Sequence, residues 1–122
     1  FNGEIKKYSS YEDLCRDLKT VILFPDSANS NFTANYIWYV DDFENDYVRI
    51  KWDGIDMRVY LEYSPFNRDS LLVTPEEIGG REYYKLQNKG GSVQMILFSD
   101  EVTYSFVSSD EALLKNFLLN LK

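Results

Sequence analysis

Residues 47–60 read Tyr47-Val48-Arg49-Ile50-Lys51-Trp52-Asp53-Gly54-Ile55-Asp56-Met57-Arg58-Val59-Tyr60. Two alternating runs flank Asp53-Gly54, a dipeptide that takes up the positive φ values of a two-residue hairpin turn. The second run continues to Tyr63. A turn of that length sets the register: Trp52 falls opposite Ile55, Ile50 opposite Met57 and Val48 opposite Val59, all on one face. The other face then pairs Lys51 with Asp56 and Tyr47 with Tyr60, and sets Arg49 opposite Arg58. Turn chemistry and side-chain alternation agree, so the centre of the chain is antiparallel sheet.

The same reading extends in both directions. Upstream, Tyr36 to Val40 is aromatic and β-branched, and the polar stretch Asp26 to Asn35 before it reads as loop. Downstream, Ser64 to Gly80 contains two prolines and a glycine pair and reads as irregular. Arg81 to Gln87 then resumes as a strand. Val93 to Phe98 and Val102 to Val107 form a second hairpin about Asp100-Glu101, with Met95 opposite Phe106 and Leu97 opposite Tyr104.

Helices are expected near each end. Ser9 can cap the first with Glu12 as its box partner, and Tyr11, Leu14, Cys15, Leu18 and Ile22 recur at helical spacing. Ser108 with Glu111 plays the same part for the second, whose apolar stripe is Leu113, Leu114, Phe117, Leu118 and Leu121. The expected fold is therefore α+β: an antiparallel sheet of about five to seven strands with an N-terminal and a C-terminal helix packed on it. The 122 residues make one domain, spanning 1–122, with 44% apolar and 27% charged side chains.

Composition removes several function classes. The formal net charge is −7 and no basic run exceeds Lys6-Lys7, which argues against nucleic acid as a partner. No apolar run approaches the roughly 18–20 residues that span a bilayer. The chain opens on Phe1 rather than Met, as expected of an excised or processed chain, so any membrane attachment is expected through a segment outside it. There is no histidine, which removes the commonest general base and transition-metal ligand. A single cysteine, Cys15, allows neither an internal disulfide nor a thiolate zinc site, and its place beside the apolar stripe suits core packing. No enzyme activity and no cofactor are expected.

Two clusters remain. The acidic turn Asp41, Asp42, Glu44 and Asp46 offers oxygens to a hard cation such as calcium, although it lacks the glycine and closing glutamate of a helix–loop–helix site. A solvated hairpin turn accounts for it equally. On the outer face of the central hairpin, Tyr47, Arg49, Lys51, Arg58, Tyr60 and Glu62 should project together. Planar aromatics beside polar groups suit a sugar or a peptide.

In order along the chain, Tyr8-Ser9-Ser10-Tyr11-Glu12-Asp13-Leu14 leads to Ile22-Leu23-Phe24-Pro25. Ile78-Gly79-Gly80, Met95-Ile96-Leu97-Phe98, Val102-Thr103-Tyr104-Ser105-Phe106 and Glu111-Ala112-Leu113-Leu114 follow. This succession resembles a family of extracytoplasmic domains of unassigned function in Gram-positive bacteria. They typically form the C-terminal part of membrane-anchored proteins, some with a cytoplasmic anti-sigma-factor module. Of the family's second proline and Gly-Tyr after the first strand the chain keeps only the Tyr, Tyr36, with Ala34-Asn35 before it, and it has Leu97 or Phe98 where a Trp is common. The resemblance implies a sensory or interaction domain held outside the cytoplasmic membrane, with an external ligand, peptide or protein as partner. The alternative is a free-standing or lipid-anchored binding protein that carries an apolar ligand in a curved sheet. A large apolar cavity between sheet and helices would favour the carrier, and a well-packed core with a polar outer face the sensor.

Overall fold

The computed structural model describes residues 3–8, 10–18, 21–25, 33–39, 47–61, 64–99 and 102–121. It is α+β, one antiparallel sheet with an N-terminal and a C-terminal helix packed on it. The strands are β1 (Gly3–Tyr8), β2 (Thr33–Tyr39), β3 (Tyr47–Trp52), β4 (Ile55–Tyr60), β5 (Glu76–Ile78), β6 (Arg81–Gln87), β7 (Val93–Phe98) and β8 (Thr103–Ser108). The helices are α1 (Tyr11–Leu18), between β1 and β2, and α2 (Glu111–Leu119), after β8.

The eight strands lie in the order β1-β2-β3-β4-β8-β7-β6-β5. Two four-stranded meanders, β1 to β4 and β5 to β8, thus meet along a central β4–β8 seam. Both hairpins take the register that their turns dictate. Trp52 pairs with Ile55, Ile50 with Met57 and Val48 with Val59, and Gly54 sits at φ +83° in the turn. Met95 pairs with Phe106 and Leu97 with Tyr104, closed by the Ser99 N–H on the Val102 carbonyl at 3.0 Å.

The inward residues of β3, β4, β7 and β8 make one face of the core, and the helices cover it. Leu14 of α1 and Leu114 and Leu118 of α2 are fully enclosed against Val48, Ile50, Met57, Val59, Met95 and Phe106. Cys15 is half-buried and packs against this core. A run of aromatic contacts links the elements: Tyr11 to Phe24 (ring centroids 4.4 Å), Phe24 to Trp52 (5.3 Å), Trp52 to Phe117 (4.9 Å) and Phe117 to Phe106 (6.1 Å). Edge-on and tilted pairs of this kind add to simple burial.

Several local expectations need correction. For α1 the capping side chain is Ser10, whose Oγ accepts from the Asp13 N–H at 3.2 Å; Ser9 lies outside the described residues. For α2 the cap is Asp110, whose carboxylate accepts from the Leu113 N–H at 3.1 Å, while Ser108 accepts from the Asp110 N–H one step earlier. A carboxylate outcompetes a hydroxyl at the positive end of a helix. Ile22 is buried but belongs to the extended segment Val21–Pro25, which is held by the Tyr11 hydroxyl on the Ile22 carbonyl (2.6 Å) and the Leu23 N–H on the Tyr104 hydroxyl (3.1 Å). Pro25 bridges Leu121, which draws this segment to the end of α2.

Thr33–Asn35, read as loop, is the start of β2, and Glu76–Ile78 within the irregular stretch is the short edge strand β5. The N-terminal β1 forms the other edge. The Lys6 ammonium and the Tyr8 hydroxyl of β1 both reach Asp17 of α1 and dock the helix. At the opposite end Lys115 of α2 pairs with Glu76 of β5 (2.9 Å) and Glu111 (3.2 Å), and Glu111 with Lys85 of β6 (2.8 Å).

Candidate functional site

On β3 and β4 the residues between the core positions point away from the helices. That face carries Tyr47, Arg49 and Lys51 beside Asp56, Arg58 and Tyr60, in the register Tyr47–Tyr60, Arg49–Arg58 and Lys51–Asp56. Two arginines directly opposite repel. The side chains resolve this by turning apart. Arg49 grips Asp56, Nη2 to Oδ2 at 2.7 Å and Nε to Oδ1 at 3.1 Å. Arg58 swings the other way and lays its guanidinium over the Tyr47 ring, 5.4 Å from the centroid. The hydrogen bond to Asp56 pushes the Arg49 pKa further above its ordinary value, despite partial burial. Lys51, the register partner of Asp56, is left exposed with its ammonium outside that pair.

Beside these charges runs a line of rings. Tyr47 and Tyr60 lie 5.8 Å apart and tilted, and Phe66 meets Tyr60 edge-on at 5.9 Å. Phe66 comes from the connection that leaves β4. Ser64-Pro65-Phe66 folds back on itself there, with the Ser64 hydroxyl accepting from the Phe66 N–H at 3.0 Å. The sequence reading sets Asp56 on this face opposite Lys51 without counting it among the candidate residues, and it does not anticipate Phe66. For Asp56 the cue was present, since it faces Lys51 and lies diagonal to Arg49. For Phe66 the only cue is an aromatic directly after a Ser-Pro turn.

Topology explains why this part of the sheet is open. The connection from β4 to β5 must cross β8, β7 and β6 to reach the far edge. It does so on the face opposite the helices, because Phe66 touches Tyr60 and Arg68 stacks on Phe98 at 5.1 Å. Ile96, Ser105 and Thr103 point to that face and are nevertheless buried, Ile96 completely. The connection thus roofs the β6–β8 half. Among the described residues, neither it nor a helix passes over the β3–β4 half. Both helices lie on the other side of the sheet.

Of the six outward residues singled out from sequence, the structure brings Tyr47, Arg49, Lys51, Arg58 and Tyr60 together. Glu62 lies outside the described residues, as do Asp41, Asp42, Glu44 and Asp46 of the acidic turn. Among the described residues no three His, Cys, Asp or Glu side chains are grouped to hold a metal ion. No helix of the described residues is long and apolar enough to cross a membrane.

Comparison of the chain with family models, curated proteins and solved structures finds no match. The site is therefore read from its own geometry. A basic, aromatic strip on an otherwise acidic protein can present flat apolar surfaces to a ligand and flank them with donors. The two phenol hydroxyls and Arg58, whose guanidinium lies 5.4 Å from the Tyr47 ring centroid, supply donors beside the rings, and Lys51 adds a cation further along β3. Among its described residues the strip offers aromatic faces, hydroxyls and cations.

Proposed function

We propose that this chain is a non-catalytic interaction domain that recognises an external ligand through the outer face of the β3–β4 hairpin. The observation that carries this reading is the Tyr47–Tyr60–Phe66 line of rings, with Arg58 on its flank, on the half of the sheet that the described part of the β4–β5 connection leaves uncovered. Aromatic planes beside arginine are the usual anchors of a recognition surface. A cell-wall fragment, a peptide or another protein fits it. The motif succession along the chain supports a place outside the cytoplasmic membrane, on an anchored regulatory protein.

The filled core weighs against a carrier. Leu14, Val48, Ile50, Met57, Phe106, Leu114 and Leu118 occupy the space between sheet and helices with no exposed surface. An apolar ligand has no room there without displacing them.

Two experiments test the reading. Immobilised cell-wall fragments and peptide arrays should retain the wild-type chain, and Tyr60→Ala or Arg58→Ala should weaken retention by at least about tenfold while the fold is kept. Equal retention by both variants would remove the strip from consideration. Fractionation of the source cells, with intact mass and N-terminal sequence of the native product, tests the tether. A released product with no anchor would sink the membrane-tethered reading and leave the binding surface to be judged alone.

A further inference from the structure

At the end of the sheet where β6 begins and β7 finishes, a cleft of about 540 Å³ lies between the extended segment Val21–Leu23 and the strands. That volume is within the range of small-molecule sites. Its walls include Val21, Leu23, Leu97 and Phe98, and among the described residues its one charged side chain is Arg81. Val21 stands at the mouth, 79% exposed, an apolar surface that a bound molecule would cover. The position of the Arg81 guanidinium is fixed from behind, since Nη1 donates to the Leu121 carbonyl at 3.3 Å. No carboxylate among the described residues pairs with it, in contrast to the matched Arg49.

Arg81, Leu97 and Phe98 are shared with a smaller hollow of about 260 Å³, where Arg68 and Glu82 enter. Arg68 already rests on the Phe98 ring. Arg81 thus lines both hollows, and among the described residues the one acid that lines either, Glu82, is on the side of the smaller hollow. The larger cleft combines apolar side chains with a cation that is anchored on the Leu121 carbonyl and that no carboxylate among the described residues pairs with. This arrangement recognises a carboxylate that carries a short apolar body, because the guanidinium takes two oxygens in its fork and the walls take the hydrocarbon.

We propose that this cleft binds a small amphipathic carboxylate, with its anionic end on Arg81 and its apolar part along Leu97, Phe98 and Val21. The site is separate from the hairpin face and does not depend on the role given to that face.

The test is a titration followed by amide chemical shifts, with octanoate as probe and neutral octanamide as its control. Saturable shifts are expected at Val21, Leu23 and Ser99, with octanamide at least about tenfold weaker. Arg81→Gln should weaken octanoate to the level of the amide. That variant also loses the tie to Leu121, so Val21→Asp provides an independent check at an exposed position whose fold does not depend on burial. It sets a like charge at the mouth and should weaken octanoate by about fivefold or more. The proposal is overturned if octanoate and octanamide bind alike, if neither substitution alters octanoate binding, if the shifts fall on Tyr47 and Tyr60 instead, or if nothing saturates below about 20 mM.

Discussion

A Cβ placed on Gly54 would stand 2.7 Å from Cδ2 of Leu113, so the tip of the β3–β4 hairpin lies against the first turn of α2. Gly54 also holds φ at +83°, where an L side chain is strained even in open space. Gly54→Ala is expected to lower stability by about 1–2 kcal/mol. Leu113 is 40% exposed and its terminal methyl can move, so adding Leu113→Ala should recover only a minor part of the loss. Thermal melting of the single and double variants checks this. An unchanged melting temperature for Gly54→Ala would contradict the turn assignment.

Tyr83 is fully buried with its ring edge-on to Phe106, 6.1 Å between centroids, and its hydroxyl meets no partner at full hydrogen-bond geometry among the described residues, with Arg81 nearby. A buried, unmet hydroxyl costs about 1–3 kcal/mol, although the neighbouring Arg81 guanidinium offsets part of it here. Tyr83→Phe keeps the ring contact and removes the penalty. It should raise stability by up to about 1 kcal/mol in chemical denaturation. A loss of that size instead would mean that the hydroxyl is satisfied.

Asp56 is the anion that separates Arg49 from Arg58 across the hairpin. Asp56→Asn removes the bidentate partner of Arg49 and leaves Arg49, Arg58 and Lys51 on one face. The expected loss is about 0.5–1 kcal/mol, larger at low ionic strength than in high salt. Denaturation midpoints at two salt concentrations decide it. A salt-independent effect would point to packing rather than charge.

Stability should fall at both pH extremes, for different groups. Asp17 and Glu111 are held below their ordinary values of 3.8 and 4.5 by hydrogen bonds, first to Lys6 and Lys85 and then to Tyr8 and Lys115. The native state thus binds fewer protons than the unfolded chain in this region, so their contribution is present above those values and disappears as pH falls through the native pKa. Burial raises the Tyr83 phenol above 10.0, and hydrogen bonds to Glu76 and Glu111 raise Lys115 above 10.5. There the unfolded chain loses protons first, and stability declines as pH rises beyond about 10. Urea midpoints against pH should show both limbs, and Lys6→Ala should flatten the acid one. An acid limb identical in that variant would rule out Asp17 as a contributor.

What the sequence discloses follows how local the deciding interaction is. The Asp53-Gly54 turn and the alternation around it determine β3 and β4, and the same logic serves β7 and β8. Strand β1 escapes such reading because it is an edge: its exposed Lys6 and Lys7 protect it from further pairing and erase apolar alternation. Strand β5 has three residues, too few to show a period. The candidate surface divides in the same way. Side-chain alternation and the turn place Tyr47, Arg49, Lys51, Arg58 and Tyr60 together. The preference of Asp56 for Arg49 over Lys51, and the arrival of Phe66, depend on rotamers and on a connection whose path is set by the far edge of the sheet.

The seam between β4 and β8 carries a consequence for how the molecule assembles. Every other ladder joins strands that follow one another in the chain, whereas Met57–Phe106 and Val59–Tyr104 join residues separated by the whole of β5 to β7. Loop closure of that length makes these rungs late to form. Until they do, each meander exposes one strand edge with its backbone groups unpaired, and the two edges fit each other. In a concentrated solution the β4 edge of one chain meets the β8 edge of another as readily as its own. Refolding at high concentration should therefore yield interlocked dimers that exchange halves, and dilution should restore the monomer.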